Sequence, residues 1–300
     1  MKELPNELKL MLSELGAQEN APMSRYTSFK TGGNARILVE PDSLEHAAGL
    51  IGAINRAGVE HYIIGNGTNL LVSDNGLDAI VVRIGEKLSR TERNGNVLYA
   101  EAGASYAAFA KQSVQYGLMG LEWAAGIPGT VGGAVAMNAG AYGGETANVL
   151  KSVKYIENGT IKEERVDKSA FGYRHSPYSV PGRTVVAAEF ELTNDDGGAY
   201  ERMLDYSRRR REKQPINYPS AGSTFKRPEG YFAGALIEQA GLKGTRVGGA
   251  EVSTLHAGFI INAGGATSLD VYRLIKLVQQ SVKEHSGVQL ETEVKLLGTF

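Results

Sequence analysis

Three hundred residues suffice for one large domain or two to three smaller ones, each with its own core. With 32 Lys and Arg against 33 Asp and Glu, the net charge of −1 gives no bulk attraction to nucleic acid. No cysteine occurs, which excludes disulfides, thiolate nucleophiles, cysteine-held iron–sulfur clusters and cysteine-linked cofactors.

Leu4, Leu8, Met11, Leu12 and Leu15 keep helical spacing, and Gly16 is a suitable stop. The opening Met1-Lys2-Glu3-Leu4-Pro5 lacks an apolar secretory core, and no apolar run approaches ~18 residues. A cytoplasmic address without membrane insertion is therefore expected. A polar stretch ends in Thr31-Gly32-Gly33, and Ile37-Leu38-Val39 reads as a strand. Asp42 is expected to cap a helix running to Gly58, with Glu45 completing a capping box. Tyr62-Ile63-Ile64 is a short strand entering a glycine loop, and Ala79 to Val82 is a strand leaving it. Asn94-Gly95 and Asn158-Gly159 each sit between strand-like segments and predict hairpins. Ser105 to Tyr116 predicts a helix, Val185 to Leu192 a strand, and 199–213 a helix ending at Gln214-Pro215. Beyond it come a helix from Phe232 to Ala240 stopped by Gly241, and a strand from Gly258 to Asn262. A helix from Ser268 to His285 follows, with Val271, Leu274, Ile275 and Val278 on one face. Val288 to Leu297 is expected to form a closing strand.

Glycine is in excess, with 38 residues against an average near ~7% of a chain. The excess concentrates in two loops about sixty residues apart. One is Gly65-Asn66-Gly67-Thr68-Asn69-Leu70; the other runs from Gly126-Ile127-Pro128-Gly129 through Gly132-Gly133 to Asn138-Ala139-Gly140. Without Cβ atoms, successive backbone N–H groups can converge on diphosphate oxygens, so the pair suggests one elongated anionic cofactor. The dinucleotide fingerprint G-x-G-x-x-G is not met, because Leu70 stands where the third glycine belongs. No phosphate-binding G-x-x-x-x-G-K-[ST] and no G-x-S-x-G elbow occur, and the five histidines are too far apart in sequence for a helical metal pair. No metal site is expected.

The stretch around Ile64-Gly65-Asn66-Gly67-Thr68-Asn69-Leu70-Leu71 resembles the FAD-binding domain of the vanillyl-alcohol-oxidase superfamily. The run from Ala125 to Gly133, followed by Asn138-Ala139-Gly140-Ala141-Tyr142-Gly143, resembles the UDP-N-acetylenolpyruvoylglucosamine reductase family in particular. Gly172-Tyr173-Arg174-His175-Ser176, Ala221-Gly222-Ser223-Thr224-Phe225-Lys226 and Leu290-Glu291-Thr292-Glu293-Val294-Lys295 agree in order. From Arg174 to Ser223 is only 49 positions, as in the short-form members that lack an inserted tyrosine loop over the substrate.

The resemblance implies an α+β fold: a two-lobed FAD-binding module (1–85 and 86–212, with the closing strand 288–300 returning to the second lobe) followed by a smaller substrate-binding domain at 213–287. It implies FAD as cofactor, NADPH as hydride donor and a sugar nucleotide, UDP-N-acetylglucosamine enolpyruvate, as substrate on the way to bacterial peptidoglycan. FAD is expected to be noncovalent, because cysteine is absent and neither loop contains histidine. Partners are limited to these small molecules, and the chain is expected to be a monomer or weak dimer.

In that chemistry hydride adds to the terminal CH₂ of a vinyl ether, and negative charge spreads from the next carbon into the carboxylate. Arg174 answers as a planar, permanent cation, and Ser223 as the donor of a proton to carbon, with Lys226 near enough in sequence to help bear the charge left behind. Outside the family context, Arg174 reads as a surface arginine and Ser223 as a turn serine. Two-residue alternation leaves Glu291 and Glu293 equivalent; the family motif selects Glu293 to stabilise the intermediate, as a protonated group or through a relay. Cofactor contacts are expected from Gly65, Asn66, Gly67, Thr68, Asn69, Gly126, Ile127, Pro128, Gly129, Gly132, Gly133, Asn138, Ala139 and Gly140. Substrate contacts are expected from Tyr173, Arg210, Lys213, Lys226, Lys243 and Asn262, while His175 reads as structural. Two other readings are an FAD-dependent oxidase of the same fold acting on aldonolactones or hydroxy acids, and a nucleotide-binding sensor without turnover.

Overall fold

The computed structural model describes residues 4–300; Met1-Lys2-Glu3, part of the stretch read against a secretory signal, lies outside the described residues. The chain divides into two compact units. The first takes residues up to Glu19, Ile37–Asn66 and Ala79–Arg209, and the second takes Asn20–Arg36, Gly67–Asp78 and Arg210–Phe300.

In the first unit the helix Asn6–Glu14 buries Leu8 and Leu12 and ends where glycine predicts. Gly16 is left-handed at φ 66°, and the Ala17 N–H returns to the Leu12 carbonyl at 2.9 Å. The helix Leu44–Ala57 stops at left-handed Gly58 as expected, but its cap is Ser43, whose hydroxyl accepts from the His46 N–H. Asp42 instead accepts from His46 Nδ1 at 2.6 Å, so the capping assignment shifts by one residue. Strands His61–Ile64 and Leu77–Arg83 pair in parallel from His61↔Ile80 to Ile64↔Arg83.

A five-stranded antiparallel sheet follows, in the order Thr160–Arg165, Leu150–Glu157, Arg183–Glu191, Val97–Glu101, Thr91–Asn94. Both hairpins form, but the first turns on Gly95-Asn96, since Asn94 still pairs with Val97. At the second, Asn158 and Gly159 are both left-handed (φ 53° and 75°), the backbone a two-residue turn demands. A Cβ on Gly159 would lie 2.8 Å from the Gly52 Cα, so the turn and the helix Leu44–Ala57 meet glycine to glycine. Helix Tyr106–Gln115 is capped by Ser105 and buries Phe109 against Phe190 of the sheet, ring centroids 5.0 Å apart. The second glycine loop contains a six-residue helix, Val131–Ala136, capped by Thr130 and not anticipated from the sequence.

In the second unit the helix Ser268–Ser286 buries Val271, Leu274, Ile275 and Val278 as predicted. Thr267 and Asp270 form a capping box, and Asp74 accepts the Ser268 and Leu269 N–H groups at 2.9 and 2.8 Å. This helix, the helix Ala233–Gln239 and the antiparallel strands Arg246–Val247, Ala250–Val252 and Ile260–Asn262 enclose one core with Phe225, Leu290 and Val294. The closing strand is shorter than expected. Only Lys295–Leu297 is a strand, parallel to Leu70–Val72, while Thr292 makes a single bridge to Phe225 and Val294 sits at a bend. Among the described residues no helix is long and apolar enough to cross a membrane.

Candidate active site

Several glycines of the two loops lie close against the chain itself. A Cβ on Gly65 would lie 2.4 Å from Thr130 Oγ1, one on Gly132 2.7 Å from the Ala102 Cβ, and one on Gly140 2.7 Å from the Gly144 carbonyl. Gly67, left-handed at φ 61°, would place a Cβ 2.0 Å from the Tyr26 carbonyl in the second unit. These glycines are thus required by close approach of protein to protein, a role that the cofactor reading of the loops left out. Gly133 is roomier, its nearest neighbour at 3.5 Å.

Each loop nevertheless offers backbone N–H groups to an anion. The N–H groups of buried Gly67 and buried Thr130, and that of Gly129, find no acceptor among the described residues. Buried amide hydrogens without a partner are rare in proteins, and an anionic ligand such as a diphosphate would satisfy them. Within the first unit, the Thr130 and Gly129 N–H groups fit an FAD diphosphate. One support behind the second loop is neutral: the buried Tyr106 hydroxyl meets Thr146 Oγ1 at 3.0 Å, and Thr146 donates to the Ala139 carbonyl at 2.9 Å. Burial pushes the Tyr106 phenol far above its usual range, so it stays uncharged.

Arg174 belongs to the first unit. Gly172 and His175 exchange backbone hydrogen bonds, each 3.1 Å, and Tyr173 and Arg174 form the tip of this turn. Arg174 has φ 55°, at the position where a type II turn ordinarily takes glycine. Its Nη2 donates to the Gly140 carbonyl at 3.4 Å, and its guanidinium lies 4.9 Å from the Tyr173 ring centroid. Asn138 is fully buried behind the turn. His175 Nδ1 lies 3.2 Å from Ser179 Oγ, in keeping with a structural role. A cavity of about 480 Å³ in the same unit is lined by Tyr142, Tyr206, Glu201, Arg202, Asp205 and Arg209, with the two tyrosine rings stacked at 4.7 Å.

Ser223 and Glu293 belong to the second unit, where sequence distance gives way to pairing. The Lys226 N–H donates to the Glu291 carbonyl at 2.9 Å and the Glu293 N–H to the Thr224 carbonyl at 2.9 Å, so the two motifs run side by side. Thr224 is buried, and its hydroxyl accepts the Ile260 N–H at 3.1 Å. The neighbouring Ser223 hydroxyl follows left-handed Gly222 and takes no partner from the chain among the described residues.

The predicted substrate cations lie in the same unit. Lys226 pairs with Glu291 at 3.1 Å and Lys243 with Glu238 at 2.6 Å. Arg210 and Lys213 end the helix Ala199–Lys213, on which Arg208 and Arg209 pair with Asp205. Asn262 donates to the Phe29 carbonyl at 3.0 Å and accepts from Gly264 and Ala266. No group of metal ligands occurs among the described residues.

A strand-rich unit whose Gly129 and Thr130 amides find no acceptor among the described residues, joined to a second α+β unit, has the form of a flavoprotein of the FAD-binding type. Residues 35–163 match the FAD binding domain model, and residues 214–297 match the model for the UDP-N-acetylenolpyruvoylglucosamine reductase C-terminal domain. The reductase of Clostridium novyi is 46% identical over 99% of this chain and 97% of its own. That of Caldanaerobacter subterraneus is 45% identical over 98% of each. The crystal structure of the Thermus caldophilus enzyme superposes with a TM-score of 0.80 at 32% identity, covering 94% of this chain and 98% of that one. The chain belongs to the UDP-N-acetylenolpyruvoylglucosamine reductase family.

Proposed function

We propose that the chain reduces UDP-N-acetylglucosamine enolpyruvate to UDP-N-acetylmuramate at the expense of NADPH, in the cytoplasm, as a step toward peptidoglycan. The kinship over almost its whole length supports the reaction, and the Ser223 hydroxyl, without a partner among the described residues, is the observation that carries the proton-transfer step. When bound, FAD supplies the substrate, as hydride, with the two electrons it takes from NADPH. Gly65 to Asn69 and the Gly126–Gly140 segment would hold it, noncovalently.

Reduction of the C=C bond places hydride on the terminal CH₂ and a proton on the neighbouring carbon. Between those events the substrate carries a second negative charge, shared by that carbon and the carboxylate. Arg174 is assigned to that charge. Its guanidinium is a rigid fork that binds two carboxylate oxygens at once and keeps its charge at any working pH. Its held conformation supports this, because donors fixed before reaction avoid reorganisation during it. Ser223 gives its hydroxyl proton to the carbon; a hydroxyl is a weak acid, but an enediolate carbon is a strong base. Glu293 stands beside Ser223's segment and is assigned to hydrogen-bond the intermediate.

The family's inserted tyrosine is missing here, and Tyr173, Arg210, Lys213, Lys226, Lys243 and Asn262 are the proposed substrate contacts. A monomer or weak dimer is the proposed state. The test is NADPH oxidation by the purified protein, strictly dependent on the enolpyruvyl sugar nucleotide, with free FAD released on heat denaturation. Oxygen consumption with hydroxy acids or aldonolactones would favour an oxidase instead, and bound FAD without either activity a sensor.

A further inference from the structure

The side chain of Asn138, a candidate cofactor contact, is fully buried and its hydrogen-bonding groups are engaged by the protein. The two Nδ2 hydrogens go to Glu145 Oε2 and to the Gly172 carbonyl, each at 3.0 Å. Oδ1 accepts the Ala147 N–H at 3.0 Å. An amide has two donor hydrogens, so none remains for a ligand.

The Gly172 carbonyl is the one that closes the Arg174 turn, since it also accepts the His175 N–H at 3.1 Å. Two residues further along the loop, the Gly140 carbonyl accepts from Arg174 Nη2 at 3.4 Å. The 138–140 segment therefore grips the arginine at both ends, through its backbone turn and through its guanidinium. Such a grip is needed because Arg174 is left-handed (φ 55°), a conformation that persists in a non-glycine residue only when its surroundings hold it. Asn138 itself is left-handed at φ 43°, which asparagine tolerates better than most residues.

We propose that Asn138 is a positioning residue: its amide fixes the strained turn that presents Arg174, so the cofactor loop and the catalytic arginine are set by one side chain. This rests on the reading of Arg174 as the group that stabilises the developing charge. It also recasts a residue of the glycine loop as part of the substrate-reducing step.

The test uses Asn138→Gly in the FAD-loaded enzyme, because glycine accepts the left-handed backbone and removes only the amide. Flavin absorbance is followed anaerobically, first with NADPH and then with the enolpyruvyl sugar nucleotide. The expected result is full FAD content and a loss in reoxidation rate at least ten times any loss in reduction rate. In an Arg174→Lys background the same change should add less than twofold, since the two residues act as one unit. Loss of FAD, equal slowing of both half-reactions, or the same factor in both backgrounds would overturn the proposal. If Arg174→Lys alone leaves reoxidation untouched, the assignment of Arg174 fails instead. A crystal structure of Asn138→Gly then decides the role of the amide: a displaced Gly172–His175 turn supports it, and an unmoved one overturns it.

Discussion

Asn69 and Glu293, 224 positions apart in sequence, are tied to each other by side chain and backbone: Asn69 Nδ2 donates to the Glu293 carbonyl at 3.1 Å. Two residues on, the Lys295 N–H donates to the Asn69 carbonyl at 2.9 Å. The first glycine loop thereby fixes the segment that carries the candidate carboxylate, all within the second unit. Asn69→Ala should cost about 1 kcal/mol of stability, the worth of one hydrogen bond whose carbonyl partner is left unmet. It should also slow substrate reduction more than flavin reduction by NADPH. Denaturant unfolding and single-turnover absorbance measure the two effects.

Arg174 couples stability and activity in opposite senses. Replacing it with glycine relieves a left-handed residue, so Arg174→Gly should be as stable as the parent or gain about 1 kcal/mol, while turnover disappears. Arg174→Lys keeps the charge and the strain but loses the bidentate fork, and should lose turnover without any gain in stability. Thermal unfolding beside steady-state rates separates the pair.

Gly67→Ala should remove FAD. The new methyl would sit 2.0 Å from the Tyr26 carbonyl on a backbone of φ 61°, so the loop must move, at a cost on the order of 2 kcal/mol or more. The Gly67 N–H is also one of the buried amides without a partner among the described residues. The ratio of flavin to protein absorbance after purification checks this. A variant that keeps one FAD per chain would remove this loop from the cofactor site.

Asp270 supplies an acid-sensitive contribution. The backbone N–H of Thr267 holds its carboxyl below the ordinary value of 3.8, and the Thr267 side chain adds to this. A depressed folded pKa stabilises the fold above the unfolded value, and that stabilisation is lost as pH falls through the folded one. Asp270→Asn should therefore cost about 1 kcal/mol near neutrality, the worth of a helix cap. The gap to the parent should narrow only as pH drops below 3.8, as followed by thermal unfolding across an acid series.

Local chemistry made much of the fold legible. Ser105, Gly58 and Gly16 mark helix ends, and Asn158-Gly159 marks a hairpin, because each acts within a few residues of itself. Strand Gln18–Pro22 escaped because it is polar and mostly exposed, with no alternation to read. Helix Val131–Ala136 escaped because glycine-rich sequence argues against helix; Thr130 caps it, and Gly132 lies against Ala102. At the site, motifs pointed to Arg174, Ser223 and Glu293 through resemblance. Nothing local revealed that the amides of Asn69 and Asn138 reach to Glu293 and Gly172, since those contacts exist only once the chain has folded.

Ser223→Ala, followed by anaerobic stopped-flow absorbance of its flavin, tests the account most directly. Reduction by NADPH should proceed at close to the parent rate, and subsequent addition of the enolpyruvyl sugar nucleotide should leave the flavin reduced, with reoxidation slowed at least ~1,000-fold, within the range of general-acid effects. Reoxidation at the parental rate, or equal slowing of both phases, would contradict it.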